Sequence, residues 1–293
     1  MAPGALFSLW LSFLGVALPA AAPPPPEAPR PLGRPISRVT TREPAVAITF
    51  DACATKKGSY GFDRDVFEIL KREQVPATVF VSGRWVDTHP EAMVELTGDP
   101  LIEFGDHSYD HPHMTKLPAA RVGEEIDQTE AALGRYGRHS VAFRPPFGEW
   151  NRRVIALVRE KNLPTVTWDV VSGDPSLKTT TAGEIRAVLA GARPGSIIIF
   201  HINGRGWKTH EALPAILTGL RQRGFHLVSL SELMRDGDNG SNPGNAGNAG
   251  NAGSAAASTG GGPGAPPGPV PVEAQRSGPS LLSDPSSPPG AVR

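Results

Sequence analysis

The chain has 293 residues, with 29 basic and 29 acidic side chains, so its formal charge is zero. Balanced charge leaves no electrostatic footprint for nucleic acid or for an anionic membrane surface. The single cysteine excludes an internal disulfide framework and any metal site built from several thiolates. The 33 Gly and 31 Pro crowd the two ends, which leaves the middle free to form an ordinary globular domain.

Residues 1–22 carry an apolar run, Leu6–Leu18, too short for the about 20 apolar residues a membrane span needs. Small residues and then Pro23–Pro26 follow, the shape of a secretory signal peptide cleaved near Ala20–Ala22. The first residues lack the usual Lys or Arg. Export to the periplasm, the cell envelope or the medium is expected, with no stable membrane span after cleavage. Residues 23–43 read as a Pro-rich linker. From 236 to 293 the chain is Gly, Pro, Asn, Ala and Ser with almost no large apolar side chains. Such a segment cannot offset its ordering entropy by burial, and a disordered tail is expected.

Residues 44–235 form one expected domain of normal size. Strand-like runs fall at 45–50, 77–81, 101–104, 142–144, 164–167, 196–200 and 226–228. Helix-like stretches separate them, at 63–73, 90–96, 119–136, 152–161, 182–190 and 210–223. Thr181 with Glu184 has the spacing of a capping box at one helix start. Strands alternating with helices predict a parallel α/β architecture, either a barrel or a doubly wound sheet. Both build their sites at the carboxyl ends of strands.

The chemical side chains sit at those ends. Asp51 follows the first strand; His107 and His111 follow the third, in GDHSYDHPH. Arg144 ends the fourth; Asp169 and Asp174 follow the fifth; His201 follows the sixth. Two imidazoles four residues apart suit a divalent metal, because neutral imidazole nitrogen ligates zinc at about 2.0–2.1 Å. Next to a metal site, Asp51 is placed to act as a general base, and Arg144 to pair with it. A carboxylate bonded to His201 would raise that imidazole and fix its tautomer for acid catalysis. Backbone N–H groups near Phe147, after Pro145 and Pro146, are placed to donate to an oxyanion. Trp150, Trp168 and Trp207 either stack on sugar faces or belong to the core. Cys53 reads as a small buried hydrophobe rather than a nucleophile.

These stretches, TFDAC, GDHSYDHPH, RPPFGEWN, WDVVSGDP and HINGRGW, in this order, resemble the polysaccharide deacetylases of carbohydrate esterase family 4. The resemblance covers nearly all of 44–235. It implies a single distorted (β/α) barrel of about seven strands, a divalent metal such as zinc, and a polysaccharide or oligosaccharide substrate. It implies hydrolysis of N-acetyl groups on an amino-sugar polymer by a monomeric enzyme. Asp51 matches the base, Arg144 the residue that positions it, His201 the acid and Asp174 the carboxylate that tunes it. Asp169 fits that last role less well. His107 and His111 match two metal ligands. The family usually supplies its third ligand from an Asp directly after the base, where this chain has Ala52. Asp51, Asp106 or Asp110 is then the expected substitute. Two other readings stand beside this one: a non-catalytic carbohydrate-binding relative with an impaired metal site, or an amidohydrolase of the same fold acting on another C–N bond.

Overall fold

The structure is a computed structural model that describes residues 33–59 and 61–240. The expected signal peptide, the start of the expected linker and residues 241–293 lie outside the described residues.

Strand β1 is Ala45–Ala52, and every one of its residues is buried. A two-residue antiparallel pair follows, β2 (Ala54–Thr55) with β3 (Gly58–Ser59). Then come α1 (Arg64–Arg72), β4 (Ala77–Val81), α2 (Gly83–Thr88) and α3 (Pro90–Thr97). Next are β5 (Ile102–Asp106), α4 (Ala119–Gly134), β6 (Ser140–Phe143), α5 (Arg152–Glu160) and β7 (Val170–Val171). The chain continues through α6 (Thr181–Gly191), β8 (Ile197–His201), α7 (Thr209–Gln222), β9 (His226–Val228) and α8 (Leu230–Gly240).

β6, β5, β4, β1, β8 and β7 lie side by side in that order, and β9 joins the start of β1. All pairings in this seven-stranded sheet are parallel. Isolated bridges from Phe143 to Thr165 and from Ile36 to Val166 carry the sheet past its β6 edge. The result is the distorted α/β barrel expected. β1 is central, flanked by β4 and β8 along most of its length. Its side chains alternate, as a period of two requires. Val46, Ile48, Phe50 and Ala52 join the large apolar layer that holds Phe67, Trp85 and Leu213. Ala45 and Ala47 point the other way, into a smaller cluster with Phe80, Val166 and Ile197.

Four expectations need correcting. The linker expected over 23–43 ends early: Ile36 and Arg38 bridge to the domain, and Val39 is buried. Val39 is held where its N–H donates to the Gly195 carbonyl (2.9 Å). Gly195 has φ +81°, and a Cβ there would stand 1.8 Å from the Val39 oxygen, so only glycine permits this approach. The strand expected at 164–167 is reduced to bridges, because Pro164 has no N–H to donate and residues 36–38 take up its neighbours' pairing. The strand next to β8 is instead β7. α8 runs to Gly240, so the expected tail boundary at 236 falls inside a helix. At α6 the cap is Thr180, whose hydroxyl accepts from the Gly183 N–H; Thr181 reaches across to Glu211 instead. The sequence pattern also passed over α2, a six-residue helix that Ser82 caps.

Candidate active site

The strand register brings the chemistry together. Asp51 on β1 pairs with His201 on β8, and Val81 on β4 with Asp106 on β5. The carboxyl ends of the central strands therefore stand level, and the loops after them face one site.

Asp51 is buried and clamped. Arg144, the first residue after β6, donates from Nη1 to Asp51 Oδ1 (2.7 Å) and from Nη2 to Thr49 Oγ1 (2.8 Å). Arg144 is itself fully buried, with its guanidinium 3.9 Å from the centre of the Phe80 ring. Burial alone would raise the Asp51 carboxyl. The nearby charges of His107, Arg144 and His201 outweigh it and hold the group below the usual carboxylate range. Asp51 Oδ2 lies 3.4 Å from His107 Nε2.

His107 and His111 meet edge to face, ring centres 4.8 Å apart. His107 Nδ1 lies 2.7 Å from the Arg144 carbonyl. A carbonyl only accepts, so Nδ1 carries the proton and Nε2 presents a bare lone pair. That is how outer-shell bonds prepare an imidazole for a metal. His111 sits at φ +56°, in left-handed backbone, with its N–H donating to Ser108 Oγ (3.1 Å). Burial lowers both imidazoles, and the neighbouring His107 helps to bring His111 to about 3.

Among the described residues, one group of three ligating side chains converges: Cys53, His107 and His111, with donor atoms within 4.8 Å of one another. Asp110 turns away to Arg84 Nε (2.6 Å) and Lys56 (3.1 Å). Asp106 Oδ1 accepts the Ser108 N–H (2.7 Å), so this acid shapes the histidine loop. Asp51 is engaged by Arg144. Burial and the Asp51 charge push the Cys53 thiol well above its ordinary value, which excludes it as a resting nucleophile. The donor set of two imidazoles and a sulfur suits zinc or a similar divalent ion.

On the far side, Asp174 is buried and saturated. Its Oδ1 faces His201 Nδ1 (2.9 Å) and accepts from Ser172 Oγ (3.0 Å). Its Oδ2 accepts the His201 N–H (2.6 Å) and the Thr209 hydroxyl (3.1 Å). Burial would lower His201, but the Asp174 hydrogen bond and charge prevail, and the imidazole is raised. Its Nδ1–H is fixed on Asp174, leaving Nε2 toward Asp51's side of the site. Asp169 is structural: it accepts from the Ile197 N–H (2.9 Å) and Ser196 Oγ (3.0 Å).

The rim is aromatic. Phe147, Trp150 and Trp207 are 54%, 38% and 41% exposed. Phe147 stacks on His113 (4.4 Å) and meets His111 edge-on (4.6 Å). Trp168 is half-buried and packs over Gly148 and beside Arg144. Sequence reasoning passed over Ser172 and Thr209; it read Cys53 as a small buried hydrophobe and Glu184 as part of a capping box, without placing either beside the site.

A family model described as polysaccharide deacetylase matches residues 38–166. The peptidoglycan-N-acetylglucosamine deacetylase PgdA of Listeria monocytogenes is 33% identical over 190 residues, 64% of this chain and 38% of that one. The uncharacterized protein YlxY of Bacillus subtilis is 33% identical over 167 residues, 57% of this chain and 51% of that one. This chain thus spans about half, or less, of the length of those two relatives. Among solved structures, a carbohydrate esterase family 4 pseudoenzyme from Bacillus anthracis superposes with a TM-score of 0.62 at 25% identity, covering 69% of each chain.

Proposed function

Since the chain belongs to the polysaccharide deacetylase family, we propose that it is an exported hydrolase that removes N-acetyl groups from an amino-sugar polymer. The polymer is peptidoglycan, a chitin-type oligomer or an exopolysaccharide. One observation carries the reading: a clamped carboxylate on β1 stands beside a clamped imidazole on β8, with two bare imidazoles next to them. A binding module has no use for two separately oriented proton-transfer groups.

In this reading His107 and His111 would hold a divalent ion, which would supply Lewis acidity at the acetyl carbonyl and the attacking water. Asp51, kept ionised and oriented by Arg144, takes the proton of that water. The raised His201, oriented by Asp174, gives a proton to the amide nitrogen as the C–N bond breaks. Acetate and a free amine result. Phe147, Trp150 and Trp207 offer flat apolar faces on which pyranose rings stack. No helix among the described residues is long and apolar enough to cross a membrane.

The test is acetate release from N-acetylated glycans by the purified chain, stripped with a chelator and then resupplied with zinc or cobalt. Activity that disappears and returns, and that Asp51→Asn abolishes, supports the proposal. Glycan binding without acetate release under any metal would favour a non-catalytic relative, the reading that Ala52 and the pseudoenzyme neighbour motivate. Turnover of a different amide would keep the machinery and replace the substrate.

A further inference from the structure

We propose that Cys53 is the third protein ligand of the metal centre, so that this chain builds a Cys-His-His site in which the thiolate replaces a carboxylate. The inference rests on the metal-dependent reading above and names the residue that completes it.

Three observations carry it. The first is position. Along β1 the even-numbered side chains, Ala52 included, enter the large apolar layer, while Asp51 faces the site. Cys53 lies just past the end of β1, two residues beyond Asp51, and is buried. It belongs to none of the three apolar clusters of the described residues. The second is convergence. The Cys53, His107 and His111 donor atoms all lie within 4.8 Å of one another. A tetrahedral ion with bonds of about 2.0–2.3 Å draws such donors to within about 3.3–3.8 Å, a closure of roughly 1 Å. His107 is already set for it, with Nδ1 turned to the Arg144 carbonyl.

The third is elimination among acids. Asp110 is held by Arg84 and Lys56; Asp106 gives one oxygen to the Ser108 N–H, and although its other oxygen has no partner it does not join the convergent group. Asp51 Oδ1 is held by Arg144 Nη1, whose other terminal nitrogen is anchored on Thr49. A thiolate brings the single negative charge that a carboxylate would bring. It also leaves Asp51 free to act as a base, which a ligating Asp51 would not be. On binding, the thiol proton passes to solvent as the sulfur–metal bond forms. Sulfur favours zinc or cobalt over manganese or magnesium.

The chain has one cysteine, so any thiolate-to-metal signal has one source. The test is cobalt(II) titration of the metal-free full chain, read by absorption spectroscopy, beside Cys53→Ser, Cys53→Ala and His107→Ala. The expected result is a near-ultraviolet sulfur-to-cobalt charge-transfer band in the wild type that both Cys53 variants lack. Zinc affinity of those variants, by competition with a chelating dye, should fall by more than the ~10–100-fold that losing an outer-shell partner costs. Cobalt bound with visible ligand-field bands but without a sulfur band would overturn the Cys53 assignment and leave the metal reading standing. No binding of cobalt or zinc by the wild type would overturn both. The wild-type spectrum decides even if a Cys53 variant fails to fold.

Discussion

Replacing Glu184 by Gln should stabilise this protein in mildly alkaline solution and do almost nothing in acid. Glu184 lies on α6, fully buried beside Asp174. The Thr209 hydroxyl donates to Asp174, and its approach to Glu184 does not offset the burial of that carboxyl. Burial first, and the Asp174 charge second, push its carboxyl from 4.5 up to about 7. A carboxyl raised on folding gives stability that is fully present below its unfolded value and lost as pH climbs through its folded value. At 1.36 kcal/mol per unit, the penalty of ionising Glu184 approaches about 3 kcal/mol above pH 8. Gln has the same shape and no charge, so it escapes the penalty. The variant should be about 2–3 kcal/mol more stable at pH 8, a midpoint rise of roughly 5–10 °C for a domain of this size. At pH 4.5 the gain should shrink below about 0.5 kcal/mol. Urea denaturation of both proteins at the two pH values measures it, and effects common to both cancel. A variant no more stable than wild type at pH 8, or a gain that persists unchanged in acid, refutes the reasoning.

Other changes separate the roles assigned to the site. His107→Ala should remove metal and activity together, by elemental analysis and acetate release. His201→Ala should keep its metal while turnover falls by ~10²–10⁴-fold, as for a lost acid catalyst; a silent His201→Ala rules out that role. In the wild type, kcat/KM should decline as pH rises through the raised His201 value, and Asp174→Asn should move that alkaline limb downward. Arg144→Met strips the cation from a buried carboxylate and should cost about 3–5 kcal/mol in denaturant titrations. Gly195→Ala forces a Cβ onto the Val39 carbonyl at φ +81°, and should destabilise by at least the ~1–3 kcal/mol of a strained backbone. Proteolysis near Val39 should speed up with it.

The barrel was readable because its strands are short apolar runs between amphipathic helices. Ile197–Phe200 is apolar throughout and was placed correctly; it is buried from both sides, where no polar residue needs to alternate. The strand ends were readable for the same reason, and they carried Asp51, His107, Arg144 and His201 to one face. Less was visible where tertiary pairing overrides composition. Residues 36–39 look like linker but join the sheet, because Gly195 lets Val39 come close. Pro164 hides inside an apolar run that cannot pair as a full strand. Ser82 signals a helix too short to show periodicity. Asp106 and Asp110 looked like ligands because they lie next to the histidines in sequence, yet their nearest partners in space are a backbone N–H and two cations. Cys53 was judged by residue type alone; its place beside His107 and His111 tells more.

Because the Asp51 and His201 backbones are partners in one parallel ladder, their separation is set by inter-strand hydrogen bonds rather than by any loop. The histidines, in contrast, hang on the segment after β5, and Cys53 lies just past the end of β1. The Asp51–His201 spacing thus rests on the sheet itself and the histidine pair on a loop, with Arg144 tying the two together through its guanidinium and its carbonyl. A substitution confined to the loop histidines would therefore leave the spacing of Asp51 and His201 as the ladder sets it.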